Sequence, residues 1–196
     1  MKESYGPIFR LWHWLTVAAM GGLLVTVALR ESVLDKKEVA NVIANKLAEF
    51  GVSLTSDQAI AVAKAVRAQM WAWHYIFAVL LTLAIVVRIV AMIKGEATLP
   101  ILKVLRAEGA AEKGKAAVHL LICMGIALMT LSGWFYYFHE ALGFEKAAVH
   151  WVKELHEALW MPLTLLVFAH IAGVVRHELA TKEPIVSHMI HGKNDR

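Results

Sequence analysis

Ten histidines stand in this sequence, and four of them, His13, His74, His156 and His170, lie near the ends of long apolar runs. An imidazole in such a setting is costly unless it binds a metal, carries a proton or finds a fixed partner. His156 and His170 are 14 residues apart. On a helix that spacing leaves them about 40° apart in azimuth and roughly 21 Å apart along the axis. One helix face can therefore present two ligands at two separate depths.

The elements that must carry these residues follow from the hydropathy. Of 196 residues, 59% are hydrophobic and 18% charged, too little charge for a soluble domain of this length. Four runs, about 11–29, 71–93, 116–138 and 155–175, reach the roughly 20 residues that cross a hydrocarbon core. The expected fold is all-α, an integral membrane four-helix bundle surrounded by lipid. The first run is too long for a signal-peptide core and has no small-residue cleavage site, so it is read as the first span. The net charge of +4 is small, and its basic residues form no stripe with stacking aromatics, which speaks against a nucleic-acid partner.

Alternate spans cross the bilayer in opposite directions, which sorts the histidines by depth. The start of span one and the end of span four share a side, pairing His13 with His170. The starts of spans two and four share the other side, pairing His74 with His156. Two level pairs with a common stripe suit two stacked planar haems, one per leaflet, with the four histidines as axial iron ligands. A compact zinc or di-iron centre suits them poorly, because the nearby carboxylates are confined to Glu154 and Glu157. The lone cysteine, Cys123, lies within span three and reads as a small buried apolar residue. It permits neither a disulfide nor a CxxCH attachment, so any haem is held by ligation and packing.

Other residues could assist. Arg88 follows His74 by 14 residues, at the depth of the His13 and His170 pair. A haem propionate and the inner interface are both open to it. Arg10 could serve the same haem, and His119 could line a quinone pocket or simply sit at the interface. His139, His150, His177, His188 and His191 fall outside the spans and are expected in solvent. The Trp12/Trp14, Trp71/Trp73 and 134–138 aromatic groups read as interfacial belts.

With both termini in the cytoplasm, eleven Lys and Arg lie inside and eight outside, so that orientation is preferred. The segment 31–68 then lies outside and reads as an amphipathic helical hairpin. Its first helix ends at Gly51, and Thr55 to Gln58 form a capping box ahead of the second. It is either a cap on the protein or the interface, or a platform for a redox partner. The stretch 94–115 reads as an interfacial turn with an apolar patch from Leu99 to Leu105. The connection 139–153 and the tail after Arg176 are expected as short surface helices.

The stretches FRLWHW, WAWHY, ELHEALW, FAHIAGVVRHE and IVSHMIHGK resemble the bacterial cytochrome b561 family and its relatives, the b-type cytochrome subunits of nickel-iron hydrogenase and formate dehydrogenase. The resemblance covers all four spans and is most specific in the spacing on the last. It implies two haem b on the four histidines, electron exchange with quinone in a respiratory chain, and residence in the bacterial inner membrane. The long outer hairpin departs from the family's usual short connection and leaves the partner open. One expectation is a di-haem protein passing electrons between quinone and a soluble or membrane partner on the outer face. Another is the haem-bearing anchor of a larger oxidoreductase; a third, weaker for want of intramembrane carboxylates and broken helices, is a metal or proton transporter. Whether the chain is itself an enzyme, and whether it forms a homodimer, stay open.

Overall fold

The structure, a computed structural model, describes residues 5–192. The described chain is all-α, with helices α1 (Pro7–Glu31), α2 (Lys36–Glu49), α3 (Ser56–Ile93), α4 (Pro100–Arg106), α5 (Ala110–Tyr137), α6 (His150–Thr181) and α7 (Ile185–His191). Helices α1, α3, α5 and α6 are long and apolar enough to cross a membrane. They contain the expected spans 11–29, 71–93 and 155–175, and α5 covers 116–137 of the expected 116–138. Of the basic residues used to orient the chain, Lys2, Lys193 and Arg196 lie outside the described residues. The chain divides into two compact units, His13–Ala84 and the described parts of Met1–Trp12 with Ile85–Arg196.

In the first unit the organising feature is a stripe on α3. Ala59, Ala63, Arg67, Met70, Leu81 and Ala84 are buried, and the half-buried His74 and Phe77 complete the same run of three- and four-residue steps. Such steps keep successive side chains on one helix face. The upper part of the stripe packs on α2, where Ala40 meets Ala59 and Ala63 under Val39, Ala44, Leu54 and Ile60. Alanines at the contact let the two backbones approach closely.

The helical hairpin is present, with the signals expected of it. Asp35 caps α2 by accepting from the Lys37 and Glu38 amides at 2.8 and 3.1 Å. Gly51 has φ +76°, and the Val52 and Gly51 amides donate back to the Leu47 and Ala48 carbonyls. This is the Schellman closure that glycine accepts at little cost. Thr55 and Gln58 bond reciprocally, Thr55 N to Gln58 Oε1 at 2.9 Å and Gln58 N to Thr55 Oγ1 at 3.3 Å. The second arm does not end at the apolar run but continues into it. No glycine or proline occurs between Ser56 and Ile93, and the resulting 38-residue helix is about 57 Å long.

In the second unit α5 and α6 form an antiparallel pair. A Cβ at Gly125 would lie 2.9 Å from Leu163, and one at Gly133 would lie 2.9 Å from His156. Small residues on α5 thus admit larger ones from α6, the packing on which helix pairs in lipid depend. The expected turn at 94–115 contains a real helix, α4, started by Pro100 and packed against α5. Glu96 closes this end of the unit by accepting from the Ile8 and Phe9 amides at 2.9 and 3.1 Å, which satisfies the exposed donors of the first turn of α1.

One expectation needs correction. The connection 139–149 is a series of turns, not a helix. Gly143 has φ +80°, and the Gly143 and Phe144 amides return to the Glu140 and His139 carbonyls, ending the helical path after one turn. The tail after Arg176 carries the expected short helix, α7, once α6 has run on to Thr181 and Pro184 has interrupted the chain.

Candidate functional site

His74 projects from the α3 stripe towards α1. Its Nδ1 lies 2.8 Å from Thr26 Oγ1, and that oxygen lies 2.7 Å from the Leu23 carbonyl. A carbonyl can only accept, so the single hydroxyl proton of Thr26 goes to Leu23. The Thr26 oxygen is left to accept from His74, which puts the imidazole proton on Nδ1 and the lone pair on Nε2.

The same logic holds in the other unit with different residues. His156 Nδ1 lies 3.1 Å from Ser132 Oγ, whose proton goes to the Leu128 carbonyl at 2.6 Å. Nδ1–H of His156 therefore donates to Ser132, and its lone pair is again on Nε2. Ser132 is buried at 7% exposure, so water does not compete for this bond. Gly133 completes the arrangement: a Cβ there would stand 2.9 Å from Cε1 and 3.4 Å from Nδ1 of His156. Glycine leaves the ring the space it occupies.

Around these residues the walls are apolar. In the first unit a cavity of about 310 Å3 is lined by Gly22, Val25, Thr26, Leu29, Met70, Trp73 and Phe77. A Cβ at Gly22 would fall 2.5 Å from the Phe77 ring, so α1 and α3 are in close contact just one turn from the Thr26–His74 bond. Arg30 lies over Trp71 at 5.9 Å, and Trp71 meets His74 edge to face at 5.5 Å between centroids.

The other histidines have different surroundings. His170 is half-buried on α6, and its ring meets that of His119 at 4.9 Å in a T-shaped contact. His119 is thereby brought against a proposed ligand, while His13 packs edge-on to Trp14 at 5.3 Å. Pro162 lies within α6 between His156 and His170. It removes the amide that would bond the Ala158 carbonyl, so the azimuth between the two histidines is not governed by regular helix geometry alone.

The two arginines are also held differently. The Arg88 guanidinium stacks over Trp12 at 4.2 Å, a cation–π partner that was not among its expected ones. Arg10 donates from Nη1 to the Ile190 carbonyl of α7 at 3.2 Å, yet its Nε is buried with no hydrogen-bond partner among the described residues. A buried, unsatisfied donor on a cation is chemically suited to an anionic group.

His139 departs from expectation. It is buried at 8% exposure rather than solvated. Its Nδ1–H donates to the Tyr136 carbonyl at 2.6 Å, and its ring stacks on Tyr136 with centroids 5.3 Å apart. The turns after α5 fold back over it, Phe144 N–H reaching the His139 carbonyl.

The sequence reading did not single out Thr26, Ser132 or Gly133. Thr26 follows Gly22 by one turn, and Ser132 and Gly133 are adjacent, so a search for small or hydroxylated residues level with each histidine on the neighbouring span could have found them. Among the described residues no three His, Cys, Asp or Glu side chains converge as a metal cluster would require. A ligand that needs only two protein atoms, one from each of two imidazoles, is better matched to this donor set.

A family model described as prokaryotic cytochrome b561 matches residues 4–192. No curated protein and no solved structure matches the chain.

Proposed function

The chain belongs to the prokaryotic cytochrome b561 family, a multi-pass bacterial membrane b-type cytochrome of electron transfer, and from that premise we propose that it binds two haem b. The axial ligands are His13 with His170 and His74 with His156, and the chain moves electrons across the inner membrane between quinone and a redox partner. The observation that carries the reading is the pair of hydroxyl-bonded imidazoles. Thr26 and Ser132 each hold a histidine in the tautomer whose Nε2 lone pair can bind iron.

A haem b with an imidazole on each axial position supplies one-electron chemistry without an open site for substrate. The chain's residues do the remaining work. His156 and His170 set the two ligand depths from one helix, while Gly133 keeps the plane beside His156 clear. Arg10 meets the negative charge of a propionate with its buried Nε, and Arg88 adds positive charge on the same side from its place over Trp12. In this reading His119, whose ring meets that of His170, lines the quinone pocket. Both termini are cytoplasmic in this reading, in keeping with the Lys and Arg distribution.

The reduced-minus-oxidised spectrum of the purified chain, with a pyridine-haemochrome count, tests the reading. About two haem b per chain are expected; a chain without haem b ends the proposal. Reduction of both haems by a quinol in reconstituted vesicles tests the quinone assignment.

A second reading, that the chain anchors a larger oxidoreductase, is favoured by the tip of the α2–α3 hairpin. Phe50 is 78% exposed and Val52 is also open there. Stable co-purification with an iron-sulfur or c-type subunit would select it over the free-standing cytochrome.

A further inference from the structure

The bonds from His74 to Thr26 and from His156 to Ser132 have a consequence beyond ligand orientation. Both histidines are assigned above to the same haem, so both of its axial imidazoles donate a hydrogen bond from Nδ1–H to a hydroxyl oxygen. Such a bond draws the Nδ1 proton towards the acceptor and leaves more electron density on the ring. The ring then becomes a stronger donor through Nε2, which favours ferric over ferrous iron. His170 differs, with the His119 ring against it and no hydrogen bond to its own ring among the described residues.

We propose that Thr26 and Ser132 are positioning residues that fix His74 and His156 as Nε2 ligands and, acting through both rings, lower the redox potential of the haem those histidines share. The inference rests on the histidine pairing proposed above. Its chemical basis is the donation of each hydroxyl proton to a helix carbonyl, Leu23 for Thr26 at 2.7 Å and Leu128 for Ser132 at 2.6 Å. That prior commitment gives each hydroxyl a fixed polarity. A freely rotating hydroxyl could donate to Nδ1 and select the tautomer that cannot ligate through Nε2; these two cannot do so without abandoning their carbonyl.

The two contacts are built alike: Thr26 lies on the earlier helix of its pair and reaches forward to α3, and Ser132 lies on α5 and reaches forward to α6. In each case the hydroxylated helix also bears a glycine in contact with the histidine's helix, Gly22 against Phe77 and Gly133 against His156 itself. The close approach holds the hydroxyl within reach of the ring, which a longer interhelical distance would not allow. The hydroxyls are thus placed by backbone packing and not by flexible side chains.

The test is optical redox titration of T26V, S132A and the double variant in the full-length, haem-loaded protein, with the haem count measured on each sample. Valine matches threonine in shape and alanine removes only the hydroxyl of serine, so both variants are expected to keep two haems. In each the potential of one haem is expected to move positive, the same haem in both, with the larger shift in the double variant and the other haem unmoved. T26S and S132T retain a hydroxyl and are expected to keep the wild-type potentials. Unchanged potentials in T26V and S132A overturn the inference, as do shifts of different haems. If T26V or S132A loses a haem, equal loss in T26S or S132T also overturns it, because bulk and not hydrogen bonding would then be the cause. A wild-type chain with fewer than two haems defeats the parent reading instead, and that count is made before any variant is titrated.

Discussion

The α1–α3 and α5–α6 pairs solve one problem with different parts. Each presents a histidine to a hydroxyl on its antiparallel neighbour, and each uses glycine to bring the helices together. In α5–α6 the glycine faces the imidazole directly, whereas in α1–α3 it faces Phe77, about one turn from His74. The connections differ more: α1 and α3 are joined through a helix whose start is capped by the Asp35 side chain, while α5 and α6 are joined by turns, with no side-chain cap where α6 begins. The comparison teaches that a hydroxyl and close packing at the level of the histidine suffice to orient His74 and His156, and that the connection is free to vary.

The largest effects should come from the four histidines proposed as ligands. H74A and H156A are each expected to remove one haem, and the same one, leaving about one haem per chain. H13A and H170A should remove the other. Haem counts with redox titration check this; a variant that keeps both haems with normal spectra breaks the likeness between the two pairs.

Next come the glycines, where the pairs are expected to part. G133A pushes a methyl group against His156 and should lower haem retention, measured as haem per chain after purification. G22A should act through packing against Phe77, costing about 1–3 kcal/mol of stability as overpacked cores do, with the haem spectrum preserved. Thermal unfolding followed by absorbance separates the two, and haem loss from both at equal rates would erase the distinction drawn here.

The smallest effect concerns the connection. The Glu38 amide and then the Lys37 amide hold the Asp35 carboxyl below its ordinary value of 3.8. A carboxylate whose pKa is lowered on folding stabilises the folded form above its unfolded pKa, and that contribution is lost as pH falls through the folded value. The start of α2 should therefore fray only below the usual aspartate range, seen as faster amide exchange at Lys37 and Glu38. Asp35→Ala should fray it at all pH values, and no comparable acid effect is expected at the start of α6.

Much of this molecule was legible before its structure. The four spans follow from apolar runs, because lipid imposes a length and tolerates little charge. The Thr55–Gln58 capping box, the Gly51 closure and the α2 hairpin were local enough to read from neighbouring residues. The connection 139–149 was misread, since apolar and charged residues there resemble a helix until Gly143 turns the backbone. His139 was expected in solvent because position in the chain says nothing of what folds back over it.

The chain's own order of residues determined the candidate histidines and their expected depths, since helix periodicity and the alternation of spans are consequences of covalent sequence. Only the tertiary structure decided which nitrogen of His74 and His156 carries the proton. That choice depends on a hydroxyl 48 residues away in one case and 24 in the other, and on a backbone carbonyl that has already taken the hydroxyl's proton. No local pattern encodes such a pairing, because it exists only when two helices pack closely enough for one side chain to reach the other.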